Sequence, residues 1–240
     1  MPDRLSVDDA RYDFGAGAGL FGASLTVAPG EIHAVVGLNG SGKTTLMRAV
    51  VEMIRLTSGR VRVDGVDVTS LRARDWARVG HVIEQPFAYP EHTVRANLEM
   101  AALLHGVGDE LTATVDRALG ELGIEKFAGV LARRLSLGNR QRLGIAAALQ
   151  HRPTLIMLDE PTNALDPAGV ILVREALLRH AARGAGILVS SHHLDEVARV
   201  AHRISVFNRG RVVGALDPSG RDLERTFFRI VHADDESRTS

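Results

Sequence analysis

Apolar and polar positions alternate with period two through the first third of the chain, in "RLSVDDARYDF" (residues 4–14), "ASLTVAPGEIHAVVG" (23–37) and "GRVRVDGVDVTSL" (59–71), with turn residues between. Such runs predict strands, the last a hairpin around Asp64-Gly65. The period then changes: in "KTTLMRAVVEMIRL" (43–56), Leu46, Met47, Val50, Val51 and Ile54 recur on one helical face. From about Pro90 to Gln150 the pattern is helical, with "TVRANLEMAALLHGV", "ELTATVDRALGELGI" and "RQRLGIAAALQ" separated by glycine-bearing turns, which predicts an inserted helical unit. Short apolar runs return in "TLIMLDE", "GAGILVSS" and "HRISVFNRG", interleaved with the helical patterns "AGVILVREALLRHAARG" and "LDEVARVA". Strands alternating with helices predict an α/β fold with a mainly parallel sheet covered on both faces. "FGAGAGLFG" (14–22) looks like a dinucleotide fingerprint, but Gly15, Gly17 and Gly19 miss the required spacing and no helix follows, so it reads as a flexible turn. The closing "HADDESRTS" is polar and reads as a frayed end.

Composition narrows the function classes. A chain of 240 residues, 45% hydrophobic and 24% charged, suits one large domain or a domain carrying a subdomain. Basic and acidic side chains balance at 29 each, so no whole-chain field favours nucleic acid or an anionic membrane surface, and no nucleic-acid partner is expected. The absence of cysteine excludes disulfides and thiolate metal sites and fits a cytosolic location. No apolar run approaches the roughly 20 residues of a membrane span. "MPDRLSVDD" lacks the layout of a signal peptide, so the chain is not expected to enter the membrane itself. Every basic residue except Lys43 and Lys126 is arginine, and Lys43 sits in the most distinctive stretch of the sequence.

That stretch is "GLNGSGKTT", which follows the apolar run "IHAVVG" and opens a helical pattern. Phosphates need converging backbone N–H groups without bulky side chains in the way, and a glycine-rich loop at a helix start supplies both. Gly37, Gly40 and Gly42 let the backbone wrap, Lys43 reaches the β and γ phosphates, and the Thr44 hydroxyl holds Mg²⁺. Asn39, Ser41 and Thr45 complete the loop. "TLIMLDEP" supplies the second half of a nucleotide site, an apolar strand ending in two carboxylates. Asp159 takes the metal directly or through a water, and Glu160 polarises the attacking water for in-line phosphoryl transfer. His192-His193 with Asp195 and Glu196 lack the i, i+4 pair of a helical zinc site. "RLSLGNRQRLGIAAAL" (134–149) is a second helix start of the anion-binding kind, with Arg133, Arg134, Arg140 and Arg142 around it.

"GLNGSGKTT", "LSLGN", "LIMLDEPTNALD" and "SSHH", in that order and spacing, resemble the ATP-binding cassette (ABC) ATPase family from about Leu5 to Leu216. The resemblance implies a P-loop NTPase core with an N-terminal antiparallel β subdomain and an inserted helical subdomain. It places an ATPase domain at 1–220, with the insert at about 90–150, and a short C-terminal helix and polar tail at 221–240. It implies that Ser136 and Gly138 contact the phosphates of ATP held by a second cassette packed head to tail, although Leu137 and Asn139 stand where the family usually has glycine and glutamine. Ala164-Leu165-Asp166 resembles the loop that crosses between subunits, and His192 resembles the switch histidine at the γ phosphate. The family's magnesium-sensing glutamine aligns most simply with Glu84, whose carboxylate would bind Mg²⁺ through a water. Gln85, one residue later, would serve through a local bulge, and its chemistry favours it as the ATP and metal contact. Phe14 is the aligned adenine-stacking aromatic, with Tyr12 close enough to compete.

A single cassette with a helical insert is similar to the ATP-binding subunit of a transporter whose permease is another polypeptide, docked around Glu84 to Val94 at the cytoplasmic face of the membrane. "IEQPFAYPEHTVRANL", "SLGNRQRLGIAAAL" and "DLERTFFRI" look most like subunits of drug- and antibiotic-resistance exporters. The expectation is therefore an ATP- and Mg²⁺-dependent exporter subunit working as a homodimer. The alternative is a stand-alone regulatory ATPase acting on a cytosolic protein. A translation factor of the family would be expected to carry two cassettes and a charged linker, neither of which is in this sequence, and a chromosome ATPase would split the cassette with a long coiled coil, whereas only about 90 residues separate the phosphate loop from "LSLGN".

Overall fold

The computed structural model describes residues 2–15, 17–86 and 88–237. The chain runs β1 (Leu5–Gly15), β2 (Ala18–Val27), β3 (Ile32–Val36), α1 (Lys43–Val50), β4 (Ser58–Val63), β5 (Val66–Asp67), α2 (Ala73–Trp76), β6 (Val79–Val82), α3 (Val94–Leu104), α4 (Leu111–Glu121), α5 (Leu137–Leu149), β7 (Leu155–Asp159), α6 (Pro167–Ala182), β8 (Gly186–Ser191), α7 (Leu194–Ala198), β9 (Arg203–Asn208), β10 (Arg211–Leu216) and α8 (Leu223–Glu236). Among the described residues, β2-β1-β4-β5 form an antiparallel sheet and β10-β9-β3-β8-β7-β6 a second sheet, parallel except for the β9–β10 hairpin.

Period-two alternation within the parallel strands divides the interior into two cores. Ile32, Ala34, Ile156, Leu158, Ile187 and Val189 point to one side, where they meet Leu98, Val115, Leu143 and Val173 from α3 to α6. Val35, Leu155, Met157 and Leu188 point to the other, where α1 buries Leu46, Met47 and Val50 between the two sheets. The helix after the phosphate loop is thus clamped on both sides, which fixes the loop at its N-terminus.

Three local departures from the sequence pattern have physical causes. First, α1 stops at Val50 although its apolar face runs to Ile54. Glu52 adopts a left-handed conformation (φ 56°), its N–H reaching Ala49 C=O and Met53 N–H reaching Arg48 C=O, a Schellman ending that closes the helix early. Second, "FGAGAGLFG" is mostly paired strand rather than a flexible turn: Asp13 faces Gly19 and Gly15 faces Ala18, and Ala16 lies outside the described residues. Third, the tail is not frayed from His232 onward. α8 continues to Glu236, because the Asn208 amide donates to Asp234 at 2.9 Å and Asp235 at 3.1 Å, and Arg209 pairs with Asp235 at 3.0 Å. Residues 238–240 lie outside the described residues.

Candidate active site

The carboxyl ends of β3, β7, β8 and β6 lie side by side in the parallel sheet, and the motif residues leave from those ends, where open parallel sheets bind ligands. After β3, Gly40 (φ 78°) and Gly42 (φ 106°) turn the chain left-handed into α1, conformations that L side chains rarely adopt. Close approach also constrains Gly37, where an added Cβ would lie 2.3 Å from Phe207 O and 2.6 Å from Ser41 Oγ. The Lys43 ammonium curls back to donate to Gly37 O at 2.7 Å and Leu38 O at 3.2 Å, and it lies 3.8 Å from Glu160. Burial pushes this lysine below its ordinary value, opposed by the charges of Glu160 and Asp159. Ser41 Oγ is buried and has no hydrogen-bond partner among the described residues. An orphaned hydroxyl, a buried lysine and unencumbered glycine backbone around one loop fit the oxygens of a phosphate chain.

The two carboxylates at the end of β7 belong to one bonded frame. Thr44 Oγ1 donates to Asp159 Oδ2 at 2.7 Å, and Ser190 Oγ donates to Asp159 Oδ1 while accepting the Glu160 N–H at 2.9 Å. Glu160 is left-handed (φ 48°), which turns its carboxylate away from the strand direction. The carboxylate then bonds His192, accepting from the backbone N–H at 3.3 Å and meeting Nδ1 at 2.8 Å. Lys43, Thr44, Asp159, Glu160 and His192 are thus brought together. A threonine hydroxyl against a carboxylate oxygen is the hard-oxygen donor set that suits Mg²⁺.

The other predicted contacts lie elsewhere on the chain. Ser136 caps α5, its Oγ accepting the Asn139 N–H at 3.3 Å, and Gly138 packs against the loop Ala164-Leu165-Asp166, where a Cβ would lie 2.6 Å from Ala164 O. Asp166 caps α6, accepting the Gly169 N–H at 2.9 Å, and pairs with Arg142 at 2.9 Å. These residues line a cavity of about 450 Å³ that contains no phosphate-loop residue. Phe14 is 53% exposed and meets half-buried Tyr12 edge to face at 4.7 Å, so Phe14 has the open ring and Tyr12 is the one packed toward the core. The hairpin carrying both reaches the phosphate loop through Gly19, whose carbonyl lies 3.1 Å from where a Cβ on Gly42 would be. Glu84 is left-handed (φ 62°), its carboxylate is bound by Arg48 of α1, and Gln85 N–H closes a tight turn onto Ile83 C=O at 2.9 Å. Gln85 opens into a groove of about 800 Å³ shared with Pro86, Ala88, Leu137, Arg140 and Ala164.

Comparison with known proteins names the arrangement. The ABC transporter family profile matches residues 20–163, from β2 past the Asp159-Glu160 pair. The chain belongs to the ABC transporter family. It is an ATP-binding subunit of that family, whose ATP-binding domain hydrolyses ATP. It is 30% identical to the lantibiotic transport ATP-binding protein SrtF of Streptococcus pyogenes over 93% of this chain and 95% of the relative. It is 38% identical to the bacitracin transport ATP-binding protein BcrA of Enterococcus faecalis over 79% of this chain and 61% of the relative. A solved ATP-binding subunit of an ABC transporter superposes with a TM-score of 0.83 at 27% identity, covering 95% of this chain and 94% of that one.

Several residues of this ABC ATPase escaped the motif reading. Ser190 donates to the Asp159 carboxylate and accepts the Glu160 N–H, and its only sequence signal was its place in "SSHH". Arg48, one of many arginines, carried no signal for its bond to Glu84. Asn97, buried within α3, ties the loop before the helical unit, with Tyr89 N–H at 2.7 Å and the carbonyls of Thr93 at 2.9 Å and Tyr89 at 3.1 Å. A polar residue on the buried face of "TVRANLEM" was the available clue.

Proposed function

We propose that this chain energises transport of a small molecule or peptide out of the cell through a separately encoded membrane permease, by ATP-driven closure of a head-to-tail homodimer at the cytoplasmic face of the membrane. The observation that carries the ATP-driven part is the continuous bonded frame linking Lys43, Glu160, His192, Ser190, Asp159 and Thr44. Gly37, Asn39, Gly40, Ser41, Gly42, Lys43, Thr44 and Thr45 cradle the phosphates, and Phe14 stacks on adenine. Thr44, Asp159 and Gln85 would hold Mg²⁺, which would supply charge neutralisation for the transferred phosphoryl group. Glu160 orients water and accepts its proton as the new bond to γ-phosphorus forms and the bond to the ADP oxygen breaks, while His192 holds the Glu160 carboxylate in line. Ser136 and Gly138 meet the γ phosphate of the partner's ATP, and Asp166 lies in the crossing loop.

Residues 1–220 form the ATPase domain in this reading, with the insert at about 90–150 contributing the groove beside Gln85 to the permease and the remainder a C-terminal helix and tail. Support for transport comes from relatives named for lantibiotic and bacitracin transport. No helix among the described residues is long and apolar enough to cross a membrane. The test is affinity purification of the tagged chain from its native cells in mild detergent. Near-equal recovery of a multi-span membrane protein is expected; recovery with only a soluble partner would overturn the transporter role and leave the ATPase standing.

A further inference from the structure

The acidic last turn of α8 binds the turn after β9, on which the phosphate loop rests, and nothing in the motif chemistry assigns it a role. α8 is seated on β9 and β10 by Phe227 and Val231, with Ile230 against Gly214, where a Cβ would lie 2.9 Å from its Cγ2. From that seat Asp234 and Asp235 take both bonds of the buried Asn208 amide, and Asp235 also takes Arg209. Arg209 is left-handed (φ 44°), so the turn after β9 is tight and is held from outside. The next residue, Gly210, donates its N–H to Ser41 O at 2.7 Å and accepts the Phe21 N–H at 2.9 Å. The Phe207 carbonyl and ring and Gly210 Cα form the wall that a side chain at Gly37 or Gly42 would strike. The turn 207–210 is therefore the floor of the phosphate loop, and α8 clamps that floor.

We propose that Asp234 and Asp235, through Asn208, Arg209 and Gly210, are positioning residues for the ATPase reaction: they hold the phosphate loop in its binding shape before nucleotide arrives. An ordered loop spares ATP binding the entropy of ordering it, so the clamp acts on affinity and leaves the chemical step alone. The pair between Arg209 and Asp235 is largely exposed, and exposed pairs add little to global stability, so nucleotide affinity rather than melting is where its loss is read.

The experiment uses the full chain and rests on its ATPase activity, not on the transport reading. In Asp234→Ala/Asp235→Ala, KM for ATP rises about five-fold with kcat within about two-fold of the parent. Exchanging the charges, Arg209→Asp with Asp235→Arg, keeps KM within about two-fold of the parent, whereas Arg209→Asp alone raises it. The ATP Kd of the folded fraction, by titration calorimetry, tracks KM even where the double variant is less stable. An unchanged KM in the double variant, a fall in kcat at constant KM, or an exchanged pair as weak as the single variant would each overturn the proposal.

Discussion

Two helices of this ABC ATPase begin at turns able to bind an anion, and they are built in opposite ways. α1 begins behind Gly42 with no side-chain cap, Lys43 is buried, and the adjoining Ser41 hydroxyl is buried without a partner among the described residues. α5 begins behind Ser136, whose hydroxyl already accepts the Asn139 N–H, and Leu137 beside it is 62% exposed. The first start is a shaped, unsatisfied cavity that a ligand completes; the second is satisfied alone and opens outward. On the proposed reading, that is how one chain uses two such starts: the first binds nucleotide by itself, and the second gains a ligand only when another subunit brings one.

The largest predicted effect separates chemistry from closure. Glu160→Gln removes the carboxylate that faces His192 and Lys43 but leaves the loop N–H groups and Ser136 intact. Turnover falls by about 100-fold or more while ATP-dependent dimers still form, as measured by steady-state hydrolysis and gel filtration with ATP. Hydrolysis at the parental rate would remove Glu160 from the mechanism.

Next in size is a lesion at the other helix start. Ser136→Arg puts a bulky cation on the exposed turn, so ATP affinity of the monomer stays within about two-fold while the ATP-induced dimer and turnover are lost. A dimer that still forms with ATP would end the argument for a site across the subunit boundary.

The contrast between the two starts also marks how far the sequence could be read. The phosphate loop and the Asp159-Glu160 strand end were legible because backbone geometry forces their residue types: Gly40 and Gly42 must turn left-handed, and a buried strand rarely ends in two carboxylates. The period-two runs foretold the antiparallel strands β1, β2 and β4, and the short apolar runs foretold β7 and β8, which are buried on both faces. Ser190, Arg48 and the clamp by Asp234 and Asp235 were not legible, since each depends on a partner more than twenty residues away in sequence. Glu84 shows the same limit. Its left-handed turn and its bond to Arg48 of α1, 36 residues away in sequence, had no signal in the motif pattern.

Smaller effects test the contrast in the absence of nucleotide. Ser41→Ala deletes an orphaned buried hydroxyl, so the nucleotide-free protein gains up to about 1 kcal/mol while ATP affinity falls several-fold, roughly 1 kcal/mol. Ser136→Ala deletes a satisfied cap, so the nucleotide-free protein loses about 1 kcal/mol while ATP affinity of the monomer is unchanged. Denaturant unfolding with and without ATP reads both. Equal signs for the two variants in the absence of ATP would mean that the two helix starts do not differ as described.

The smallest effect is a fraction of a proton at the buried lysine. Burial holds Lys43 below its ordinary 10.5, whereas an unfolded lysine keeps the ordinary value. Between those values the unfolded chain binds more protons, so this group's contribution to stability rises with pH across that interval and is flat below it. Phosphate oxygens beside the ammonium act in the opposite direction and favour the charged form. ATP binding should therefore take up protons in the same interval, and affinity should weaken as pH rises through the nucleotide-free value. Calorimetry in buffers of different ionisation enthalpy measures that uptake. Lys43→Arg, which stays charged throughout, should abolish it; Ser136→Ala, at the helix start without a buried cation, should leave it untouched. Uptake that survives in Lys43→Arg would mean that the proton goes to another group and that Lys43 is charged throughout the interval.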